Sequence, residues 1–162
     1  MKINTEELGR IAKDLLKQRG VSIDSIAELV YYLQKEYVEE LTLEQCQENV
    51  EAVLEKREVQ NAIITGIQLD LLAEEKKLLP PLQHIIESDE GLYGVDEILA
   101  LAIVNVYGSI GFTNYGYIDK VKPGILKELN SHNGNAVHTF LDDIIGAIAA
   151  AAASRLAHSI PE

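Results

Sequence analysis

The chain has 162 residues, 47% of them apolar and 25% charged, with 26 acidic against 14 basic side chains and a net charge of -12. That length suits one core rather than two, and the charge opposes binding to nucleic acid or to anionic membrane surfaces, since no basic patch offsets it. Cys46 is the only cysteine, which excludes an internal disulfide, and the start Met1-Lys2-Ile3-Asn4 lacks the apolar core of an export signal, so a cytoplasmic setting is expected.

Asn4 followed by Glu7 has the spacing of a capping box, Leu8, Ile11, Leu15 and Leu16 recur at helical spacing, and Gly20 supplies a stop. From Ser22 a second helix puts Ile26, Leu29, Val30, Leu33 and Tyr37 on one face. Thr42 with Gln45 caps a third, whose stripe of Leu43, Cys46, Val50, Val53 and Leu54 makes Cys46 a core residue and runs toward Lys56-Arg57. A fourth spans Val59 to Lys77 and stops before Pro80-Pro81, with Gly66 a weak point of about 1 kcal/mol against alanine.

Residues 82–94 read as a short helical turn and a glycine-bounded loop leading into an apolar helix from Val95. Ile98 to Ile118 carries no charged side chain, which is spanning length. Asn105, Ser109, Thr113, Asn114 and the glycines at 108, 111 and 116 suit lipid poorly, so the stretch is expected to be a buried helix followed by a polar loop. A short helix around Asp119, another from Pro123 to Leu129, a break at Asn130 to Asn135 and a last helix from Asn135 to about His158 complete the chain. No strand alternation competes, so the expected fold is all-α: one domain over 1–162, an irregular bundle of about six or seven helices with the helix after Val95 buried at its centre. Residues 1–58 supply amphipathic helices and 59–158 the acidic site.

Three acidic elements lie among mostly uncharged helical residues: Asp96-Glu97, Asp119 and Asp142-Asp143, with Lys122-Pro123 after the second. Carboxylates beside apolar faces call for a cation, and acids from three elements suit Mg²⁺, which prefers oxygen ligands and substrate phosphates. Glu97 shares a helix side with Asn105 and is expected to face a polar cavity with it, while Asp142 and Asp143 lie about 100° apart, able to bracket an ion. Lys122 adds a cation for phosphate, and the start of the last helix near Asn135 to His138 offers N-H groups to an anion, which brings His138 and Thr139 into the phosphate-binding set. Taken separately, each element also reads as first-turn acids complementing a helix dipole or as a solvated cluster. His84, His132, His138 and His158 lack zinc spacing, Cys46 and Arg57 are too far apart for a cysteine-phosphatase loop, and neither GxSxG nor GxxxxGK[ST] occurs.

The order Asp96-Glu97, Asp119-x-x-Lys122-Pro123, Asp142-Asp143-Ile144-Ile145-Gly146 resembles the phosphatidylglycerophosphatase A family, in which D-E, D-x-x-K-P and D-D-x-x-A-G elements follow one another. The resemblance covers roughly Val59 to His158 and looks closest to the soluble bacillus-type branch, sometimes labelled low-temperature-requirement proteins. Here the final small pair is reversed to Gly-Ala, and residues 1–58 are amphipathic where membrane-resident members carry spanning segments. The resemblance implies Mg²⁺-dependent conversion of phosphatidylglycerophosphate to phosphatidylglycerol and phosphate. It makes Asp96, Glu97, Asp119, Asp142 and Asp143 metal-binding or water-activating, with Asp119, Asp142 and Asp143 the catalytic set and Lys122 on phosphate. The expected partners are a phosphorylated small molecule or lipid headgroup, transient peripheral contact with a membrane, and further copies of the chain. Two alternatives stay open: a helical Mg²⁺-dependent nucleotide pyrophosphohydrolase, of whose E-x-x-E pattern Glu36 and Glu39 match only the first half, and a non-enzymatic helical assembly protein.

Overall fold

The computed structural model describes residues 3–131 and 134–160; Met1, Lys2, His132 and Asn133 lie outside it, as do the last two residues. The described residues form nine α-helices and no strand: α1 (Thr5–Gln18), α2 (Ile23–Gln34), α3 (Leu43–Leu54), α4 (Arg57–Glu74), α5 (Leu82–Glu87), α6 (Val95–Val104), α7 (Ser109–Val121), α8 (Ile125–Asn130) and α9 (Leu141–Ser159). The all-α expectation holds, with more helices than six or seven.

Local chemistry sets the N-terminal boundaries. The Asn4 side chain accepts from Glu7 N-H at 2.7 Å, and Thr42 and Gln45 make a reciprocal box at 3.0 and 3.2 Å. Ser22 pairs with Ser25 in the same way. Gly20 follows α1 at φ 79°, the left-handed turn that glycine adopts without strain. Cys46 is fully buried, as its stripe predicts, and burial pushes its thiol up to about 11.

The buried central helix is α9, not the one after Val95. Every residue from Leu141 to Ser154 is buried, and α9 packs against α2, α3, α4, α6, α7 and α8. Its alanine run explains this, because only small side chains let so many helices close on one axis. By contrast α6 buries only Ala100, Ile103 and Val104, leaving Ile98 66% exposed. The glycine-containing stretch expected as a loop is α7, whose Gly111 lies against Val104: packing on α9 overrides poor local propensity.

Gly66 proves to be a close-approach position. A Cβ there would stand 2.3 Å from Ile144 Cδ1 and 3.1 Å from both Leu99 Cδ2 and Phe140 Cβ. Gly66→Ala gains about 1 kcal/mol of helix propensity but forces α4 off α9, for which overpacking costs about 1–3 kcal/mol. The variant is therefore expected to melt below the wild type in a thermal unfolding scan; a higher melting temperature would mean that the α4–α9 contact yields freely.

Candidate active site

Four carboxylates from three helices meet around the first turn of α9. Asp142 and Asp143 open that helix, Asp119 stands near the end of α7, and Asp96 lies in the first turn of α6. Lys122 caps α7 in the left-handed conformation at φ 47°, ψ 58°, a backbone that costs a residue with a Cβ about 1–2 kcal/mol. From there its Nζ donates to Asp119 Oδ1 at 3.1 Å and to Asp142 Oδ2 at 3.2 Å. Asp143, 6% exposed, hydrogen-bonds Asp96.

One ammonium does not balance four carboxylates. Burial, then the charges of Asp142 and Asp96, the hydrogen bond to Asp96 and the charge of Asp119, push Asp143 up to about 10. Asp142 rises to about 6, again mainly through burial, with Lys122 pulling it down and Asp89 adding to the rise. For Lys122 burial works to lower the pKa, yet Asp142 and Asp119 hold it above its ordinary value. Tyr115, four residues before Asp119 on α7, is buried with a hydroxyl that meets no partner in the structure; burial and the charges of Asp143, Asp119, Glu97 and Asp142 raise its pKa.

Other expectations shift. Glu97 and Asn105 are both exposed, so no cavity forms between them; Asp96 is the acid that turns inward, and Glu97 stands at the rim, near enough to bear on Tyr115. The last helix begins at Leu141, not Asn135, and its N-H groups are not free for an anion. Asp70 accepts from Phe140 N at 3.0 Å and from Leu141 N at 3.0 Å, Asp142 N goes to His138 O, and Asp142 Oδ1 takes Asp143 N at 2.9 Å. Thr139, 2% exposed, donates its hydroxyl to Ile86 O at 2.6 Å, and His138 Nδ1 donates to Leu129 O at 2.9 Å. Thr139 is thus committed to the fold, while His138 keeps Nε2 and lines a small cavity with Asp142, Asp89 and Glu87. Among the described residues no three His, Cys, Asp or Glu side chains stand close enough to ligate one ion in this conformation.

Two contributors escaped the sequence reading. Asp70 sits on the buried face of α4 in step with Ile63, Gly66 and Ile67, an acid at a core position, which is the signal that marks it. Tyr115 lies in the glycine-containing stretch that the sequence suggests as a polar loop, so nothing local marks it.

The model of the phosphatidylglycerophosphatase A family matches residues 14–158. The chain belongs to that family. The match begins well before Val59, so most of the amphipathic N-terminal region is part of the family's own fold. The Bacillus subtilis (strain 168) protein YutG, itself uncharacterized, is 66% identical over 91% of this chain and 89% of its own length. The crystal structure of the low temperature requirement C protein from Listeria monocytogenes is similar at 70% identity and a TM-score of 0.94, over 96% of this chain and 98% of that one. The crystal structure of Bacillus subtilis ypjQ gives 57% identity and a TM-score of 0.93 over 97% of each chain. These relatives place the chain in the bacillus-type branch of the phosphatidylglycerophosphatase A family. Its reversed small pair is sterically neutral: a Cβ at Gly146 would meet Ile118, Tyr115 and Leu126 at 3.6–3.9 Å, ordinary contact that an alanine could make.

Proposed function

We propose that this protein is a Mg²⁺-dependent phosphomonoesterase that hydrolyses phosphatidylglycerophosphate to phosphatidylglycerol and phosphate. The observation that carries the reading is the gathering of Asp96, Asp119, Asp142 and Asp143 around Lys122 and an unpartnered Tyr115 hydroxyl. By its chemistry that donor set suits Mg²⁺: it is all oxygen, it lies partly out of water, and burial together with the neighbouring carboxylates pushes Asp143 up for want of positive charge, although the side chains would have to draw closer to share one ion. Asp96, Glu97, Asp119, Asp142 and Asp143 are the residues that would hold the ion, with the proton on Asp143 given up in exchange. When bound, Mg²⁺ neutralises phosphoryl oxygens and acidifies a water.

The chain's own groups supply the rest. Lys122 is fully charged and held by two carboxylates, so it can turn toward a phosphate oxygen without leaving the site. Asp142, beside Lys122, is the carboxyl placed to take a proton from water and return it to the leaving oxygen. Leu92, Val95 and Ile98 are exposed beside Asp96 in sequence and give an amphiphilic substrate apolar surface next to the acids. None of the described helices is long and apolar enough to cross a membrane, so such a lipid is met from the water side.

Phosphate release from phosphatidylglycerophosphate in detergent micelles and from p-nitrophenyl phosphate tests this, with Mg²⁺ and after chelation. Release with Mg²⁺ is expected, falling at least about 10²-fold on chelation, and kcat/KM should favour the lipid. A higher kcat/KM on the soluble ester would move the substrate class away from lipids, and no release from either would remove the phosphatase reading.

A further inference from the structure

The segment entering the acid cluster is held from outside by polar side chains of the helices around it. Asp70, with 0% exposure, spends both carboxylate oxygens on the N-H groups of Phe140 and Leu141, at 3.0 to 3.2 Å. One turn along the same helix, Glu74 accepts from Val137 N at 2.8 Å. Arg19, which caps the C-terminus of α1, donates to Glu74 at 2.6 and 3.1 Å and to Val137 O at 2.8 Å, closing the triangle. Backbone N-H groups held by side-chain acceptors out of water are directional, and these three lie five, two and one residues before Asp142, the first acid of the site on α9.

We propose that Asp70, backed by Glu74 and Arg19, is a positioning residue of the phosphatase site: it fixes where α9 begins and thereby aims Asp142 and Asp143 at Lys122 and Asp96. Phe140 is the residue before α9 and Leu141 its first, so moving either rotates the whole first turn. An ordinary capping acid would come from the chain just before the helix; this one comes from 70 residues earlier, on a helix that also contacts α6, which carries Asp96. The α4 helix therefore references two of the three acidic elements to one rigid body. The inference rests on the phosphatase reading for its catalytic consequence but not for its structural one.

The test uses the full chain with Asp70→Asn and Glu74→Gln. Asp70→Asn is nearly isosteric but leaves one acceptor oxygen where two were in use, so one N-H loses its partner. Since a misplacement of about 1 Å costs about 10²-fold in rate, its kcat should fall roughly 10- to 100-fold while KM changes less than about threefold. Hydrogen exchange over residues 137–143 should accelerate without change in α2 and α3. Glu74→Gln should show both effects in smaller measure, and it carries the test if Asp70→Asn does not fold. Wild-type kcat in folded variants, whatever their melting temperature, would show a merely stabilising cap and overturn the proposal. Should the wild type hydrolyse no phosphomonoester at all, the functional reading fails by itself; unchanged exchange over 137–143 would then sink the clamp, and accelerated exchange would uphold it.

Discussion

Asp143→Asn should hydrolyse the phosphomonoester about 10²- to 10⁴-fold more slowly than the wild type and yet unfold, in the absence of divalent cation, at a higher temperature. Both effects have one source. Asp143 is buried among Asp142, Asp96 and Asp119, and its ionised form is so disfavoured that its pKa is pushed up to about 10. The amide has no acidic proton to lose, and its N-H₂ can donate to Asp96 in place of the proton on Asp143. Removing a buried, repelled acid should add about 1 kcal/mol, or roughly 2–4 °C for a chain of this size. The same change deletes an anionic oxygen from the cation-binding and water-activating set. Lys122→Met is the complementary case: Asp119 and Asp142 lose their common partner, so stability and activity fall together. Full activity in Asp143→Asn would exclude the cluster as the site, whereas lost activity with a lowered melting temperature would make Asp143 a structural residue.

How far this was written in the sequence differs between elements. The three acidic elements and Lys122 stand out because each interrupts an uncharged helical run, and folding does bring Asp96, Asp119, Asp142 and Asp143 together. Which acid of the first pair turns inward was not legible: Asp96 and Glu97 differ by one helical step, and the pitch of α6 on its neighbours decides. Apolar content misled for α6, since hydrophobicity reports what can be buried, whereas the bundle centre selects for small side chains, which only α9 offers over its length. The start of α9 was misplaced for a related reason. Nothing local stops a helix at Asn135, and the boundary is set by Asp70 and Glu74, more than 60 residues away in sequence. Capping by a distant carboxylate leaves no mark in a local pattern, although an acid on the apolar stripe of α4 did signal that something buried needed it.

Without divalent cation, the melting temperature is expected to fall as pH rises from 5 to 9, and added Mg²⁺ should restore it far more at pH 8 than at pH 5. Burial first of all pushes Asp142, Asp70 and Asp143 up to about 6, 8 and 10, from an ordinary aspartate value of 3.8. Between 3.8 and each folded value the native chain binds a proton that the unfolded chain has released, so stability declines with pH. The contribution of each group is whole below its unfolded pKa and is lost as pH climbs to the folded one: by about 6 for Asp142, about 8 for Asp70 and about 10 for Asp143. Glu74 is held below the ordinary glutamate range because Arg19 and Val137 N-H outweigh its burial, and it acts oppositely, only when pH falls through that region. Each pH unit costs about 1.4 kcal/mol per group while that group titrates in one state only, against a total stability of about 5–15 kcal/mol. The cluster therefore cannot ionise fully on its own without eroding the fold, and a cation is the charge that lets it do so. Protons and Mg²⁺ compete for the same oxygens, which is why the ion's stabilisation must grow as pH rises. Equal melting temperatures with and without Mg²⁺ at pH 8, or a larger effect at pH 5, would mean that these acids are kept neutral by design and do not bind the ion.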